Sequence, residues 1–173
     1  EKAKELGLEN QVKFELQDYR LVEGNFDRIV SVGFGEHLGL KFYNSFFQKV
    51  NSILNTNGVF LFHLIGVVDQ PSAPNQFINK YIFPGGVCPS LSQLIKPIEK
   101  TGLIVADTET LIRHYDKTLE AWLERFLAKR SEIKDLFDEK FVKMWEFYMA
   151  SCAAAYRYRD LVVFHLQIVK KFQ

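Results

Sequence analysis

The segments FDRIVSVGFGEH at residues 26–37 and GVFLFHLIG at residues 58–66 decide the fold of this chain. Both are rich in β-branched and aromatic residues, a composition typical of buried β-strands. The first segment leads to Glu36, and the second carries His63 near its carboxyl end. Ligands bind at the carboxyl ends of parallel strands in open α/β sheets, so these two residue types point to an enzyme.

The residues between these two strands predict a crossover helix. Apolar side chains recur at helical spacing over residues 40–54, and the turn residues 55–58 end the pattern. A strand, a helix and a strand in this order form a βαβ unit with a parallel pair. The predicted fold class is therefore α/β, a mostly parallel sheet with helices on both faces. We expect the strand at 26–32 to be central and buried on both sides.

Periodic patterns and turn residues predict further elements outside this unit. Residues 67–89 have no sustained period and contain several prolines, Pro74 among them, which indicates a lid or binding loop. The other predicted elements are a helix that ends at Gly7, a strand at 12–16, a helix at 90–100, a strand that begins at 103, helices at 116–137 and 138–157, and a strand at 161–169. No repeat or linker divides them, and we expect one domain over residues 1–173.

The composition excludes several classes of function. The formal net charge is +1, with basic and acidic residues interspersed, which argues against a nucleic-acid partner. Two distant cysteines, Cys88 and Cys152, form neither a zinc motif nor a disulfide scaffold, and this favours a reducing cytoplasm. Because the sequence contains neither a spanning apolar stretch nor a signal peptide pattern, any membrane contact is expected to be peripheral. The chain starts at Glu1 within a helical pattern, and we expect further protein upstream.

The turn after the first strand contains Gly33, Phe34 and Gly35. A strand, this turn and a helix are reminiscent of a dinucleotide fingerprint, but the position of its third glycine holds Leu38. Two interpretations remain. The glycines let backbone approach a small ligand, or they form a tight turn with a structural role only.

Three further side chains are candidates for chemistry, and each also has a structural interpretation. Glu36 is either a site carboxylate or a surface residue, and His63 either faces the ligand edge or satisfies a backbone carbonyl. Tyr115 precedes a helix whose expected N-cap is Asp116, and it is either a site hydroxyl or a tyrosine at the edge of the core. Glu36, His63 and His114 lack metal-motif spacing, so we expect no metal.

Several segments resemble, in the same order, cyclopropane-fatty-acyl-phospholipid synthases and mycolic acid cyclopropane synthases. They are QDYR at 17–20, FDRIVSVG at 26–33, EH at 36–37, INKYIFPGG at 78–86, HYDKTL at 114–119 and AW at 121–122. The likeness runs from about residue 11 to the C-terminus. It implies the C-terminal part of a class I, Rossmann-like, S-adenosylmethionine-dependent methyltransferase domain, without its first strands.

The resemblance also implies an activity. Enzymes of this family transfer a methylene group from S-adenosylmethionine to the cis double bond of an unsaturated phospholipid acyl chain, and the ring closes with bicarbonate as proton acceptor. By the same resemblance Glu36, His63, Tyr115 and the backbone of Ile65 hold the bicarbonate. Such an arrangement is chemically reasonable, because its anionic oxygen accepts from His63 and Tyr115 and its hydroxyl donates to Glu36.

The resemblance places cofactor contacts as well. Asp18 and Tyr19 are expected to lie against the adenine, and Gly33 and Phe34 to line the cofactor pocket. The family's glycine-rich loop, ribose-binding acidic residue and bicarbonate-contacting cysteine are expected upstream of Glu1. The strand at 12–16 then lacks a neighbour. We expect an isolated chain to have little activity, to bind cofactor poorly or to dimerise through that edge.

Two other functions stay open. Gly35 before Glu36 and Leu64 after His63 depart from the family pattern, which leaves room for a related fatty-acid or amine methyltransferase that does not close a ring. A non-catalytic lipid-binding module is the second alternative. The favoured interpretation is a bacterial enzyme in the cytoplasm that contacts the inner membrane peripherally.

Overall fold

A computed structural model of the chain describes residues 1–71, 73 and 75–171. Pro74, one of the prolines in the predicted irregular stretch, lies outside the described residues. The helices are α1 Lys2–Glu5, α2 Gly35–Leu38, α3 Tyr43–Ile53, α4 Gln76–Tyr81, α5 Leu91–Lys100, α6 His114–Ala128, α7 Arg130–Leu136 and α8 Glu139–Tyr158. The strands are β1 Phe26–Val32, β2 Leu54–Val67, β3 Leu103–Leu111 and β4 Leu161–Lys170.

The four strands form one sheet in the order β1-β2-β4-β3. β1 and β2 are parallel, with α3 as the crossover between them, so the predicted βαβ unit is confirmed. β4 runs antiparallel to both β2 and β3. Three strands therefore share one direction, and the reversed β4 between β2 and β3 makes the sheet mixed. β2 extends beyond the predicted strand at both ends, because Leu54 pairs with Phe26 of β1 and Val67 pairs with Leu161 of β4.

Helices cover both faces of the sheet, as the α/β pattern predicts. On one face Phe60, Phe62 and Leu64 of β2 are fully buried in a cluster with residues of α3 and α5. On the other face Val163 of β4 packs with residues of α6 and α8, and Ile65 borders this second cluster. Side chains alternate along a strand, so His63 and Ile65 share the face that α6 and α8 cover.

The position of β1 differs from the prediction of a central, doubly buried strand. In the described sheet β1 is an edge strand, and Val30 and Val32 are 62% and 65% exposed. The predicted strand at 12–16 is also wrong, because these residues form no strand and Phe14 is 82% exposed. Both differences have one cause. No described strand pairs with the outer edge of β1 or with residues 12–16, and apolar alternation without a partner strand forms no ladder.

Two local features of the helical region also differ from the prediction. The long helix expected at 116–137 divides at Lys129 into α6 and α7. Asp116 is not its N-cap, because α6 begins at His114 after Arg113, which adopts a left-handed backbone with φ 62°. The Asp116 side chain is buried and accepts instead from Arg157 of α8. None of the helices in the described residues is both long and apolar enough to span a membrane.

Candidate active site

The carboxyl ends of β1 and β2 lie side by side, where the sequence predicts a site. Val32 is in register with His63, and the N–H of Gly33 donates to the His63 carbonyl at 3.0 Å. Gly33 has φ +59°, a backbone conformation that favours glycine, and it turns the chain from β1 toward α2. The turn therefore brings the start of α2 over the end of β2.

Gly35 explains how α2 approaches the sheet so closely. A Cβ at this position would lie 2.5 Å from Cζ of Phe62, inside any normal contact distance. The Gly35 carbonyl accepts a hydrogen bond from the Tyr43 hydroxyl at 3.0 Å, which ties α2 to α3. This glycine serves close packing of backbone on the sheet, and the packing carries the next residue, Glu36, into the interior.

Glu36 is a buried carboxylate with one oxygen engaged and one not. It is 9% exposed, and its Oε1 accepts from the backbone N–H of Ile65 at 2.6 Å. Oε2 is buried and has no hydrogen-bond partner among the described residues. The Glu36 carbonyl accepts from Val87 at 2.9 Å and so holds the backbone in place. A buried oxygen without a donor is costly, and it marks a position where a ligand hydroxyl would be bound.

Two phenols have pKa values that are raised by burial and, to a lesser degree, by the charge of Glu36. Burial raises the pKa of Tyr115, and the negative charge of Glu36 raises it further. Burial also raises the pKa of Tyr156, whose ring lies 5.2 Å from that of Tyr115. Both hydroxyls stay protonated at neutral pH and can donate hydrogen bonds. The Tyr156 hydroxyl is buried without a partner in the part of the chain that the structure describes.

Tyr156 is a candidate that the sequence analysis missed. It follows Tyr148 and Cys152 at four-residue intervals on α8, so the same helical face that predicts their burial includes it. The signal was present in the spacing. Only the packing of α8 on α6 shows that this face meets Tyr115, because that contact joins residues far apart along the chain.

His63 contacts a second histidine. Its Nδ1 lies 2.7 Å from Nε2 of His165 on β4, and Nδ1 of His165 lies 2.9 Å from Oε2 of Glu109 on β3. Burial, together with any charge on His165, lowers the pKa of His63. Within the described ranges no hydrogen bond joins His63 to Glu36 or Tyr115. The structure thus brings Glu36 into contact with the Ile65 backbone, packs Tyr115 on Tyr156, and directs His63 along the sheet toward β4.

The residues expected to contact cofactor lie beside the end of β1. The Tyr19 ring is 5.4 Å from that of Phe34, in an edge-on arrangement. The Asp18 carboxylate accepts from both the backbone and the guanidinium of Arg20, and these hydrogen bonds lower its pKa to about 2. Phe34 is 38% exposed, and its ring together with Tyr19 and the Gly33 turn suits a flat aromatic group such as adenine. No cluster of metal-ligating side chains occurs in residues 1–71, 73 and 75–171.

A known family matches most of this chain. The model of the family described as mycolic acid cyclopropane synthetase matches residues 1–166. This chain belongs to that family. The predicted resemblance and the methyltransferase fold are thereby confirmed.

Individual relatives of this family member include lipid-modifying enzymes. The cyclopropane-fatty-acyl-phospholipid synthase of Escherichia coli strain K12 is 44% identical over 146 residues, which are 84% of this chain and 38% of that protein. The tuberculostearic acid methyltransferase UfaA1 of Mycobacterium tuberculosis is 33% identical over 171 residues, 95% of this chain and 40% of that protein. The chain thus spans less than half the length of these relatives.

A solved structure of a relative has the same fold. The mycolic acid cyclopropane synthase CmaA1, complexed with SAH and CTAB, superposes with a TM-score of 0.82 at 28% identity. The match covers 91% of this chain and 59% of CmaA1. The four-stranded sheet and its helices therefore correspond to part of a larger methyltransferase fold.

Proposed function

We propose that the protein to which this chain belongs transfers a methylene group from S-adenosylmethionine to the cis double bond of an unsaturated phospholipid acyl chain, with bicarbonate as proton acceptor. The single observation that carries the proposal is the buried Glu36 carboxylate, whose Oε2 has no partner among the described residues. The name of the E. coli relative supports the substrate class.

The residues around Glu36 fit a small anion that also carries a hydroxyl. Glu36 Oε2 accepts from the hydroxyl, while the protonated phenol of Tyr115 donates to an anionic oxygen. The N–H of Ile65 donates to Oε1 in this structure and so orients the carboxylate; it donates to the anion only where that hydrogen bond is exchanged. When bound, S-adenosylmethionine supplies the carbon and bicarbonate supplies the base.

Buried side chains near Glu36 limit the access of water. Phe62 and Leu64 pack beneath α2 on one face of the sheet, and Tyr148 and Tyr156 are buried in the cluster on the other face. A carbocation in a wet site would be captured as an alcohol, so exclusion of water favours ring closure. Aromatic faces such as Phe83, which packs on Tyr148 at 6.0 Å, also stabilise positive charge.

An apolar cleft of about 450 Å³ between α4 and α8 is the place we propose for the acyl chain. Its lining is Phe77, Tyr81, Phe141, Met144 and Phe147, with Asp138, Lys140 and Lys143 at the rim. Phe77 also borders the second cluster, the same cluster that Tyr115 borders. The rim lysines suit a phosphate head group, in keeping with peripheral contact at the cytoplasmic face of a bacterial membrane.

A second candidate is methylation of a fatty acyl chain without ring closure. The 33% identity to a tuberculostearic acid methyltransferase favours it, because an acyl methyltransferase acts in the same family. Both reactions require the cofactor contacts of Tyr19 and Phe34. They differ in the proton that the cation loses: loss from the added methyl group with ring closure gives a cyclopropane, whereas loss from a neighbouring chain carbon leaves the added carbon as a methyl branch.

The experiment uses the full-length protein with vesicles of a cis-unsaturated phospholipid, S-adenosylmethionine labelled at the methyl carbon, and buffers with and without bicarbonate. We expect label in cyclopropane ring protons by NMR and a rate that rises with bicarbonate. Label in a branched methyl group supports the second candidate. No transfer at all supports the non-catalytic lipid-binding alternative, and saturated phospholipid is the control. Size-exclusion chromatography of the same sample tests the predicted homodimer.

A further inference from the structure

Three polar side chains form a row across three strands on the face that α6 and α8 cover. Glu109 of β3 is in register with His165 of β4, and His165 is in register with His63 of β2. The contacts along the row are 2.9 Å from Glu109 Oε2 to His165 Nδ1 and 2.7 Å from His165 Nε2 to His63 Nδ1. Neither Glu109 nor His165 has a place in the activity proposed above.

The direction of the hydrogen bonds follows from the chemistry of the first member. A carboxylate only accepts, so the hydrogen in the contact with Glu109 belongs to His165 Nδ1. In a neutral imidazole the other nitrogen then carries a lone pair, so Nε2 of neutral His165 accepts. The hydrogen of the second contact must therefore lie on His63 Nδ1. A neutral His63 is left with a lone pair on Nε2.

We propose that the Glu109–His165 pair holds His63 in the Nδ1–H form, so that its Nε2 carries the lone pair and can accept a proton. Glu109 and His165 are thus positioning residues that act through His63. This inference deepens the proposed function and rests on it for the chemical consequence, but not for the tautomer itself. It also reverses the expected role of His63, which the family resemblance gives as a donor to bicarbonate.

A proton acceptor at His63 would serve the step that restores bicarbonate after each turnover. When the bound base takes a proton from the substrate cation, it becomes carbonic acid and must lose that proton before the next turnover. Transfer of the O–H proton to His63 Nε2 restores bicarbonate and leaves an imidazolium, which returns to the Nδ1–H form when Nε2 releases that proton to water. The Nδ1–H of that imidazolium faces His165, and His165 in turn contacts Glu109. The Glu109 side chain is 61% exposed, whereas that of His165 is 27% exposed. Positive charge is thereby stabilised by a carboxylate along the row.

The test reads the tautomer directly. The full-length protein is labelled with ¹⁵N-histidine, and long-range ¹H–¹⁵N correlation spectra are recorded at pH 8, with the His63 signals assigned by loss in His63→Gln. The chain contributes 4 histidines. We expect hydrogen on Nδ1 of His63 and a bare Nε2. Hydrogen on Nε2 in the unaltered protein would overturn the inference.

Two substitutions at one position separate positioning from packing. His165→Gln keeps an acceptor oxygen for His63 Nδ1–H and should preserve the tautomer, whereas His165→Leu removes the acceptor and should shift His63 toward Nε2–H. Gln167→Leu is the matched control, because Gln167 makes the analogous cross-strand contact with Asp107 one pleat away. If His165→Leu does not fold, Glu109→Leu is the alternative: it removes the carboxylate that keeps the hydrogen on Nδ1 of His165, and it should also shift His63 toward Nε2–H. An unchanged tautomer in the folded variants contradicts the proposal.

Turnover supplies a second readout. We expect His165→Leu to lower kcat roughly tenfold or more, with little change in KM for lipid, and His165→Gln to retain most activity. Equal losses in the Leu and Gln variants would contradict positioning through the tautomer. The two proposals fail separately. A rate independent of bicarbonate removes the proposed function and leaves the tautomer intact, while a bicarbonate-dependent enzyme with Nε2–H on His63 removes only this inference.

Discussion

The carboxylate of Glu36 accepts a hydrogen bond from the backbone N–H of Ile65 at 2.6 Å, although 29 positions separate the two residues. The bond joins the first turn of α2 to the carboxyl end of β2. It leaves Oε2 buried without a partner among the described residues. A single contact thus fixes where the carboxylate points and leaves one of its oxygens available for a ligand.

Glu36→Gln in the full-length protein should lower the rate of label transfer by about 10²-fold or more, because the amide keeps an oxygen for Ile65 but loses the charge. The melting temperature should change little. The matched control is Glu124→Gln, which removes an exposed carboxylate on α6. A rate equal to that of the control would mean that Glu36 has only a structural role.

Tyr115→Phe should lower the apparent affinity for bicarbonate, because the variant loses a hydroxyl that stays protonated, its pKa being raised by burial and by the charge of Glu36. Initial rates measured across a bicarbonate titration check this, and we expect a shift to higher concentration of roughly tenfold, the effect of one lost charge-assisted hydrogen bond. Tyr158→Phe is the control, since Tyr158 is 78% exposed. Identical titrations for the two variants would exclude the Tyr115 hydroxyl from the anion site.

Gly35→Ala should destabilise the protein, because the added methyl group would meet the ring of Phe62. Overpacking of this kind costs about 1–3 kcal/mol, more than the helix propensity that alanine gains. Denaturant unfolding measures the difference. Phe62→Leu combined with Gly35→Ala should recover part of the loss, whereas additive losses in the double variant would show that the clash is not the cause.

Asp116→Asn should reduce stability at neutral pH through loss of the ion pair with Arg157. Burial alone would raise the pKa of Asp116, but hydrogen bonds and charge from Arg157 hold it below its usual range. A depressed pKa stabilises the fold above the unfolded-state pKa, about 3.9, and this contribution is lost as pH falls through the folded pKa. The melting temperatures of the two proteins should therefore differ most near pH 7, and the difference should shrink as the pH falls below 4. A difference that grows in acid would contradict the ion pair.

Tyr19→Ala in the full-length protein should weaken binding of S-adenosylhomocysteine, because it removes the ring that packs edge-on against Phe34. Loss of one aromatic contact corresponds to roughly five- to tenfold in Kd. Calorimetric titration gives this value. Phe42→Ala removes another exposed ring, 47% accessible, and should leave binding unchanged. Equal weakening in both would indicate a general loss of structure.

Local pattern was sufficient for the βαβ unit and for the helices on both faces, since both depend on periods that run along the chain. It failed for the edge position of β1 and for residues 12–16, because burial of a strand depends on partners that its own pattern does not specify. It also failed at Asp116, where a long-range partner, Arg157, replaced the expected cap. The same limit applies to Tyr156. The spacing along α8 indicates that its side chain is buried, but it does not indicate that its neighbour is Tyr115.

By itself the amino-acid sequence determined the α/β class, the order of strand, crossover helix and strand, and the family. The first two follow from the spacing of apolar residues, and the family follows from motifs that occur in the same order. Tertiary structure alone decided that Glu36 bonds Ile65 and that His63 turns toward His165 and Glu109. Hydrogen bonds depend on distances of a few tenths of an ångström between atoms that lie far apart along the chain. Such distances arise only when strand register, the Gly35 contact and helix packing are all in place.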